Sequence, residues 1–209
     1  HMKKSILFIF TACFLFTTSC SDFLDEEHKT KYSSEYVFGT PEGLKLAVNA
    51  LYALQRYYAN DTENATIFAL ERGTDLAVTN GGTGNFYGIY DPNYLKPSAS
   101  QVGFMWRTMY QIIGKANEII AAAEDLEDTP SLRATVSEAK CFRAQSYFLL
   151  YRTFDRIWLN IQPTTAENVN DPRDFHAASE KEVFDLIYED LEYAITNLDW
   201  VSDEAGRFT

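Results

Sequence analysis

The sequence lacks the features that nucleic-acid-binding and disulfide-stabilised proteins require. Its 18 Lys and Arg are outnumbered by 30 Asp and Glu, which gives a formal net charge of −12. Phosphate backbones are bound by clustered basic side chains, so this balance argues against nucleic acid as a partner. The sequence also contains only 3 cysteines. A chain of this length must therefore be stabilised mainly by a packed core.

Motifs of catalysis and metal binding are also missing. The sequence has no H-E-x-x-H motif, no phosphate-binding loop and no G-x-S-x-G element. Glu71 and Asp75 have the spacing of a carboxylate pair, but a solvated turn gives the same spacing. His28 and His176 are isolated in polar stretches. We therefore expect a protein that is not an enzyme and that uses no cofactor and no metal ion.

The longest apolar run lies near the N-terminus. Lys3-Lys4 precede an apolar run at 6–16, which as a helix would rise about 16 Å against a bilayer core of about 30 Å. A positive segment followed by a short apolar run is typical of an export signal. Thr17-Thr18-Ser19 before Cys20 resembles a bacterial lipobox, although its first residue departs from the usual aliphatic one. We predict a lipoprotein signal peptide at 1–19 and an acylated Cys20; the alternative is an ordinary cleavage site near a cysteine.

The segment after this cysteine shows no sustained periodicity. We predict that residues 20–39 are the lipid anchor and an extended arm. The acidic cluster Asp22–Glu27 resembles the surface-export signal of lipoproteins in some Gram-negative bacteria; the alternative is a solvated tether. The predicted location is the cell outer membrane, with a lipid anchor and the protein facing the cell surface.

Four helices are predicted in the rest of the chain. Thr40-Pro41-Glu42 is a helix start, and the first helix is expected at about 41–58. A second, at about 99–123, repeats apolar residues at steps of three and four. A third begins at Thr129-Pro130, and a fourth begins at a Ser179–Glu182 capping box. The predicted apolar stripe of the fourth helix is Val183, Ile187, Leu191, Ala194 and Leu198.

The third helix is predicted to be the centre of the fold. Its stretch at 138–154 is apolar almost all round, and such a helix must be packed on several sides. We expect Phe148 to be buried, so that truncation to Ala would cost about 3–5 kcal/mol. We expect Arg143 and Arg152 to keep their charges in water. Cys141 is expected to be a buried filler.

Several of these motifs together resemble the SusD/RagB family of glycan-binding outer-membrane lipoproteins. The matching elements are Cys20–Asp25, Trp106-Arg107-x-x-Tyr110 with Ile113 and Ala116-Asn117, Glu138-Ala139-Lys140-x-x-Arg143-Ala144-x-x-Tyr147-Phe148, and Asp190-Leu191-Glu192-x-Ala194-Ile195-x-x-Leu198. The resemblance implies an all-α fold of tetratricopeptide-like helix pairs, an α-α superhelix. It also implies binding of oligosaccharides or polysaccharides and their delivery to a TonB-dependent transporter for nutrient uptake.

The chain departs from the family pattern in two ways. Phe154–Trp158 stands where many members have a Gly-containing turn followed by Pro. Members are also usually more than twice as long, so we interpret 40–209 as a truncated N-terminal helical domain of a larger SusD-like fold. Solenoids end in capping repeats. A stop at Thr209 is therefore expected to leave the last two helices with an uncovered face.

The long irregular insert at 59–97 contains the predicted ligand-binding face, at 80–94. Ordered loops of this length are usually functional. Sugar rings stack on aromatic planes, and their hydroxyl groups need amide and carboxylate partners. The candidate ligand-binding residues are Asn80, Asn85, Tyr87, Tyr90, Asp91 and Tyr94. The alternative is that these tyrosines fix the loop onto the helices.

A second function, of another class, also fits a helical repeat. The chain would then be a lipoprotein adapter that mediates protein–protein assembly at the outer membrane. A concave pocket rich in Tyr and Asn favours the glycan function, and an exposed apolar helix groove favours the adapter. The resemblance implies that the ligand face also uses loops of a C-terminal half. We therefore expect the 209-residue chain to bind oligosaccharides weakly or not at all, in the millimolar range or weaker, because stacking on each tyrosine contributes about 1 kcal/mol and association costs at least about 4 kcal/mol.

The first testable prediction concerns the anchor. Cys20→Ala removes the thiol that would be acylated, so the variant should no longer partition with the outer membrane. Metabolic fatty-acid labelling and membrane fractionation measure this directly, with Cys141→Ala as the matched control. A Cys20→Ala protein that stays in the membrane fraction with unchanged mass would contradict the prediction.

Overall fold

The computed structural model of the protein describes residues 33–60, 100–165, 167–172, 175–202 and 204–209. Contacts divide the chain after Ser33, and every helix below belongs to the compact unit Ser34–Thr209. Within the described residues there are five α-helices and no strand: α1 (Ser34–Gly39), α2 (Pro41–Asn60), α3 (Ser100–Ala123), α4 (Pro130–Phe154) and α5 (Glu180–Asn197). This confirms the predicted all-α fold class. None of the helices in the described part is long and apolar enough to cross a bilayer.

α1 lies in the segment for which we predicted an extended arm, so that prediction is wrong for residues 34–39. The Thr40 hydroxyl donates to the Tyr36 carbonyl (2.8 Å) and accepts from the Gly43 amide (3.0 Å), which joins α1 to the start of α2. A Cβ atom at Gly43 would collide with the Tyr36 carbonyl oxygen. Glycine permits this close approach because it has no side chain. The helix has 6 residues and buries none of them, so it leaves no periodic signal in the sequence.

The other helix boundaries confirm the predicted starts. The Thr129 side chain accepts a hydrogen bond from the Leu132 amide (3.2 Å), and Pro130 is the first helical residue of α4. Ser179 and Glu182 form the predicted capping box at the start of α5. Each cap satisfies backbone amides that have no partner within the helix. Local chemistry therefore sets where these helices begin.

α4 is the central helix, as predicted. It packs against α2, α3 and α5, and its buried residues extend all around its circumference. Three of them, Thr135, Ser137 and Ser146, donate their hydroxyl hydrogen bonds to the carbonyl four residues earlier (3.0, 2.8 and 2.8 Å). Small polar residues can be buried in this way without a partner on another helix. Cys141 is buried, and burial raises the pKa of its thiol to about 11, which fits the predicted filler.

Two predictions for side chains of α4 are wrong. Phe148 is 43% exposed, whereas the neighbouring Tyr147 is fully buried. Residues next to each other in a helix point about 100° apart, so only one of two adjacent rings can face the same neighbour. Arg143 does not keep its charge in water but is buried in an ion pair. Arg152 is exposed, as predicted, and its guanidinium lies 5.7 Å from the centroid of the Phe148 ring.

The buried stripe of α5 also differs from the predicted one. It contains Val183, Ile187, Asp190 and Ala194, so Asp190 takes a core position that we assigned to Leu191. The side chains of Leu191 and Ile195 are 38% and 76% exposed. Trp200 and Val201 beyond the helix are 95% and 79% exposed. An uncovered apolar surface is thus present at the last helix, as expected.

α4 ends in an unusual backbone conformation. Asp155 follows its last turn with φ 59° and ψ −48°, in the region that favours glycine because a side chain crowds the backbone there. Asp155 lies within the Phe154–Trp158 stretch noted in the sequence, and among the described non-glycine residues it is the one with a positive φ.

The last residues of the chain pack on α2 and α4. Arg207 donates to the Glu138 carboxylate (Nη2–Oε1, 2.8 Å) and to Asn49 Oδ1 (2.8 Å). The Phe208 amide donates to the hydroxyl oxygen of Tyr52 (2.8 Å), and that hydroxyl donates to Glu138. Burial, together with the bond to Glu138, raises the pKa of Tyr52. The tyrosine therefore remains a neutral donor at physiological pH.

The second prediction compares the two adjacent aromatic residues of α4. Tyr147→Ala should lower the free energy of unfolding by about 3–5 kcal/mol, because it empties a fully buried site. Phe148→Ala is the matched control and should cost less than about 1 kcal/mol, as expected for a partly exposed ring. Urea denaturation with a shared m-value measures both. Equal losses at the two positions would show that the burial pattern of α4 is incorrect.

Candidate functional site

The six candidate residues named from the sequence lie outside the described residues. These are Asn80, Asn85, Tyr87, Tyr90, Asp91 and Tyr94. Their proposed contact with a ligand stays a prediction. Within the described part, a second surface with suitable chemistry lies in the loop that follows α4.

Two tyrosines, the half-buried Tyr110 and the buried Tyr147, hold this loop in an extended path. The Tyr110 hydroxyl, from α3, donates to the Trp158 carbonyl (2.8 Å) and accepts from the Trp158 amide (2.9 Å). The Tyr147 hydroxyl, from α4, makes the same two bonds to Asn160 (both 2.8 Å). In extended backbone the N–H and C=O groups of alternate residues point to the same side. The two hydroxyls therefore make the hydrogen bonds that a neighbouring β-strand would otherwise make to residues 158 and 160. Burial raises the pKa of both hydroxyls, so both remain donors.

A buried polar chain connects α5 to the same loop; we call it the Asp190 network. Arg143 donates to both carboxylate oxygens of Asp190 (Nε–Oδ2 and Nη2–Oδ1, each 2.7 Å). Lys140 Nζ donates to the same carboxylate (2.8 Å). The remaining Arg143 nitrogen, Nη1, donates to Asn117 Oδ1 (2.8 Å), and Asn117 Nδ2 donates to the Asn160 carbonyl (2.7 Å). Three helices and the loop are thus joined by one set of hydrogen bonds.

The burial of this network decides its energetic role. The Asp190 side chain is 0% exposed and that of Arg143 is 6% exposed. Charged groups are stable at such sites only when they are paired and hydrogen-bonded. The bidentate arginine–carboxylate geometry also fixes direction as well as distance. The network therefore determines how α5 is rotated against α4 and where the loop leaves the helices.

A row of five aromatic rings runs from α4 and α3 to the loop. The rings of Phe154, Trp106, Tyr110, Trp158 and Phe175 succeed one another with centroid distances of 5.1, 4.8, 6.4 and 4.8 Å. The row begins against α3 and ends at Phe175, which is 71% exposed. The exposed Phe175 ring packs on the Trp158 ring at an interplanar angle of 50° and is thus attached to the packed row.

A cavity of about 400 Å³ opens beside Trp158. We call it the Trp158 groove; it is lined by Trp158 to Pro163 with Asn168, Asp171 and Pro172. The Asn168 side chain shapes its rim, because it accepts from the Thr165 amide (2.8 Å) and donates to the Pro163 carbonyl (3.0 Å). The volume lies at the lower end of the range of small-molecule sites, about 300–1,000 Å³. Within the described ranges no group of His, Cys, Asp or Glu side chains is arranged to hold a metal ion.

This groove was not predicted from the sequence, although several residues that support it belong to the quoted motifs. Asn117 and Asp190 were given no role there, and Arg143 was expected to keep its charge in water. A usable signal exists: each is a polar residue within an otherwise apolar helical stripe, and buried polar groups need partners. Pairing these three side chains with one another would have indicated the arrangement of the helices.

Comparisons with known proteins agree with the fold. A family model described as "Starch-binding associating with outer membrane", of the SusD-like type, matches residues 22–209. A SusD-like protein of Bacteroides ovatus is 27% identical, over 100% of this chain and 37% of its own length. A solved structure of a laminarin-binding SusD-like protein superposes with a TM-score of 0.66 at 26% identity, over 79% of this chain and 36% of that one. A structure with a xylogluco-oligosaccharide superposes with a TM-score of 0.59 at 22% identity, over 77% of this chain and 30% of that one.

The chain belongs to the SusD-like family, since the match covers nearly all of it. Members of this family are described as carbohydrate-binding proteins. The chain spans 37–40% of the length of the curated relatives that it matches. The resemblance stated from the sequence motifs is therefore confirmed.

The third prediction tests the Asp190 network. Asp190→Ala leaves Arg143 and Lys140 buried without their carboxylate, so it should destabilise the protein by about 3–5 kcal/mol. Asp185→Ala is the matched control on α5, because Asp185 pairs with Lys181 at the exposed surface and such pairs contribute about 1 kcal/mol or less. Thermal and urea unfolding measure both variants. A loss at position 190 no larger than at position 185 would contradict the role given to the network.

Proposed function

We propose that the protein binds glycans at the outer membrane and delivers them to a TonB-dependent transporter for nutrient uptake. The observation that supports this most directly is the Trp158 groove in a chain that belongs to the SusD-like family. The groove combines an aromatic platform with amide groups and one carboxylate. Aromatic faces stack on the C–H faces of sugar rings, and the polar groups bond to the hydroxyls.

The same groove favours binding without catalysis. Asp171 is the one carboxylate among its described lining residues, whereas glycoside hydrolysis generally uses a pair of carboxylates placed on either side of the bond. Four hydrogen bonds from Tyr110 and Tyr147 also restrain the loop. A rigid platform binds sugars with little loss of conformational entropy.

The insert between α2 and α3 is the proposed second part of the ligand face. Its tyrosines at 87, 90 and 94 would add stacking surface, and Asn80, Asn85 and Asp91 would bond to hydroxyls. Because each stacked ring contributes about 1 kcal/mol, we expect millimolar affinity for a short oligosaccharide.

The proposed cellular location follows from the N-terminus. A signal peptide at 1–19 would direct export, and acylation of Cys20 would attach the protein to the outer membrane. The acidic segment after the cysteine would then direct it to the cell surface. A surface position is what delivery of external glycans to a transporter requires.

The fourth prediction tests glycan binding. Laminari-oligosaccharides are the first probes, because a structural neighbour is a laminarin-binding protein. Titration of the purified mature protein should shift the amide NMR signals of Trp158, Asn160 and Gln162 with millimolar dissociation constants. Gln162→Ala should weaken binding several-fold, whereas Gln145→Ala, an exposed glutamine on α4, should leave it unchanged. Shifts confined to residues outside the groove, or equal weakening by Gln162→Ala and Gln145→Ala, would refute the groove as the glycan-binding site.

The exposed apolar surface of α5 supports the adapter as a second candidate function. Leu191, Ile195 and Trp200 line a mainly apolar cavity of about 180 Å³, and large exposed apolar patches often mark contacts with proteins. Ile195→Glu distinguishes the candidates. It should leave glycan binding intact, and loss of transporter-dependent glycan uptake in that variant would point to a protein contact at α5.

A further inference from the structure

The segment that follows α5 is fixed to the other helices near its far end. Among its described residues from 199 to 206, Ser202 is half-buried and the others are exposed. Arg207 and Phe208 are half-buried and make the contacts with α2 and α4. We call residues 204–209 the Arg207 clasp. The clasp is therefore joined to α5 by a stretch of chain that buries little surface.

Two neighbouring residues anchor the clasp. The Arg207 guanidinium bonds to the Glu138 carboxylate of α4 and lies 5.1 Å from the centroid of the Tyr52 ring, a position that favours a cation. The Phe208 ring packs edge-on against the ring of Phe142, with 4.8 Å between the centroids. The Phe208 amide donates to the Tyr52 hydroxyl oxygen. One ion pair, one ring contact and one backbone bond thus hold the clasp on two helices.

Two cavities adjoin this segment. One has a volume of about 190 Å³ and lies over the first half of α4. The other is the apolar cavity of about 180 Å³ at α5, which Cys141 also lines. Leu198, Asp199 and Thr209 line both cavities. These three residues therefore separate the cavities, and the anchors at 207 and 208 set the position of Thr209.

Both cavities follow the same face of α4. Ser131, Thr135, Glu138 and Cys141 succeed one another at steps of four, three and three, which places them on one side of a helix. The first three line the cavity over the first half of α4, and Cys141 lines the apolar one. Displacement of Thr209 would therefore join the two cavities into one cleft along this face.

From this arrangement we infer that the Arg207 clasp is a conformational gate: it opens as a unit while the helices stay folded, joins the two cavities and exposes Cys141. Segments open locally when they bury little apolar surface. The clasp also borders cavities, so its opening breaks fewer packing contacts than the opening of a fully packed segment. The inference is independent of the proposed glycan-binding function, because the clasp shares no described residue with the Trp158 groove.

The Cys141 thiol reports directly on this opening. The residue is 9% exposed in the closed structure, so a thiol reagent modifies it only when the structure opens. The purified mature protein is treated with N-ethylmaleimide at several urea concentrations below the unfolding transition, and mass spectrometry measures modification of the peptide that contains Cys141. Opening of the clasp exposes little surface, so the rate should depend only weakly on urea, whereas global unfolding has the full m-value.

Removal of the main anchor should increase the rate. Arg207→Ala should accelerate modification of Cys141 by about tenfold or more without urea, because the closed state loses its ion pair. Arg133→Ala is the matched control: it removes an arginine of α4 that pairs with Asp128 at the surface, and it should leave the rate unchanged.

A double variant separates opening of the clasp from loss of stability. Arg207→Ala leaves the buried Glu138 carboxylate without its cation, which also weakens the helical unit. Glu138→Gln combined with Arg207→Ala removes that charge. The double variant should therefore regain most of the lost stability to urea, while modification of Cys141 stays fast.

Two results would overturn the inference. If wild-type Cys141 is modified only with the full urea dependence of unfolding, the clasp does not open by itself. If the rate of the double variant returns to that of the wild type together with its stability, the faster reaction of Arg207→Ala came from global unfolding. The clasp would then not control access to the cavities.

Discussion

The bidentate ion pair between Arg143 and Asp190 is the constraint on which the rest of the fold depends. Apolar packing alone tolerates small rotations and shifts between helices. Two hydrogen bonds between a planar guanidinium and a carboxylate do not, because they fix both distance and direction. Arg143 then uses its third nitrogen to place Asn117. A buried ion pair of this kind adds little net stability, but removing one partner is costly. Its contribution is to select one arrangement of α3, α4 and α5.

That arrangement also determines the shape of the groove. The loop after α4 is held by side chains from two helices: Tyr110 and Tyr147 bind alternate residues of its backbone, and Asn117 adds a further bond to the Asn160 carbonyl. On the other edge of the loop, the Ile157 carbonyl accepts from the Ala178 amide (2.8 Å), and the side chains that follow it line the Trp158 groove. The loop residues that bond to the polar groups of the helices therefore also line the candidate binding surface.

Helix caps and apolar periodicity, which involve residues close in sequence, predicted the helices well. The features that were not predicted depend on contacts between residues far apart in sequence. The caps at Thr129 and Ser179 were predicted because their chemistry involves residues three apart. The sequence did not predict which side of α4 faces each neighbouring helix. Tyr147 and Phe148 are both large and aromatic, and only the packing of the neighbouring helices decides which of them is buried. The burial of Arg143 depends on Asp190, 47 residues away in sequence. The groove was missed because its described lining residues all belong to the loop after α4, and helical periodicity carries no information about the path of a loop.

The tyrosine contacts give a criterion for interpreting other sequences. Each hydroxyl both donates to and accepts from a single residue of the loop, so replacement by phenylalanine would remove two bonds and leave two partly buried backbone groups without these partners. Tyrosine at both positions, together with asparagine at the position of Asn117, therefore marks a chain whose loop follows this path. Phenylalanine at either position marks a homologue in which the loop, and with it the ligand surface, must be built differently. Ligand specificity can be compared meaningfully only among chains of the first kind.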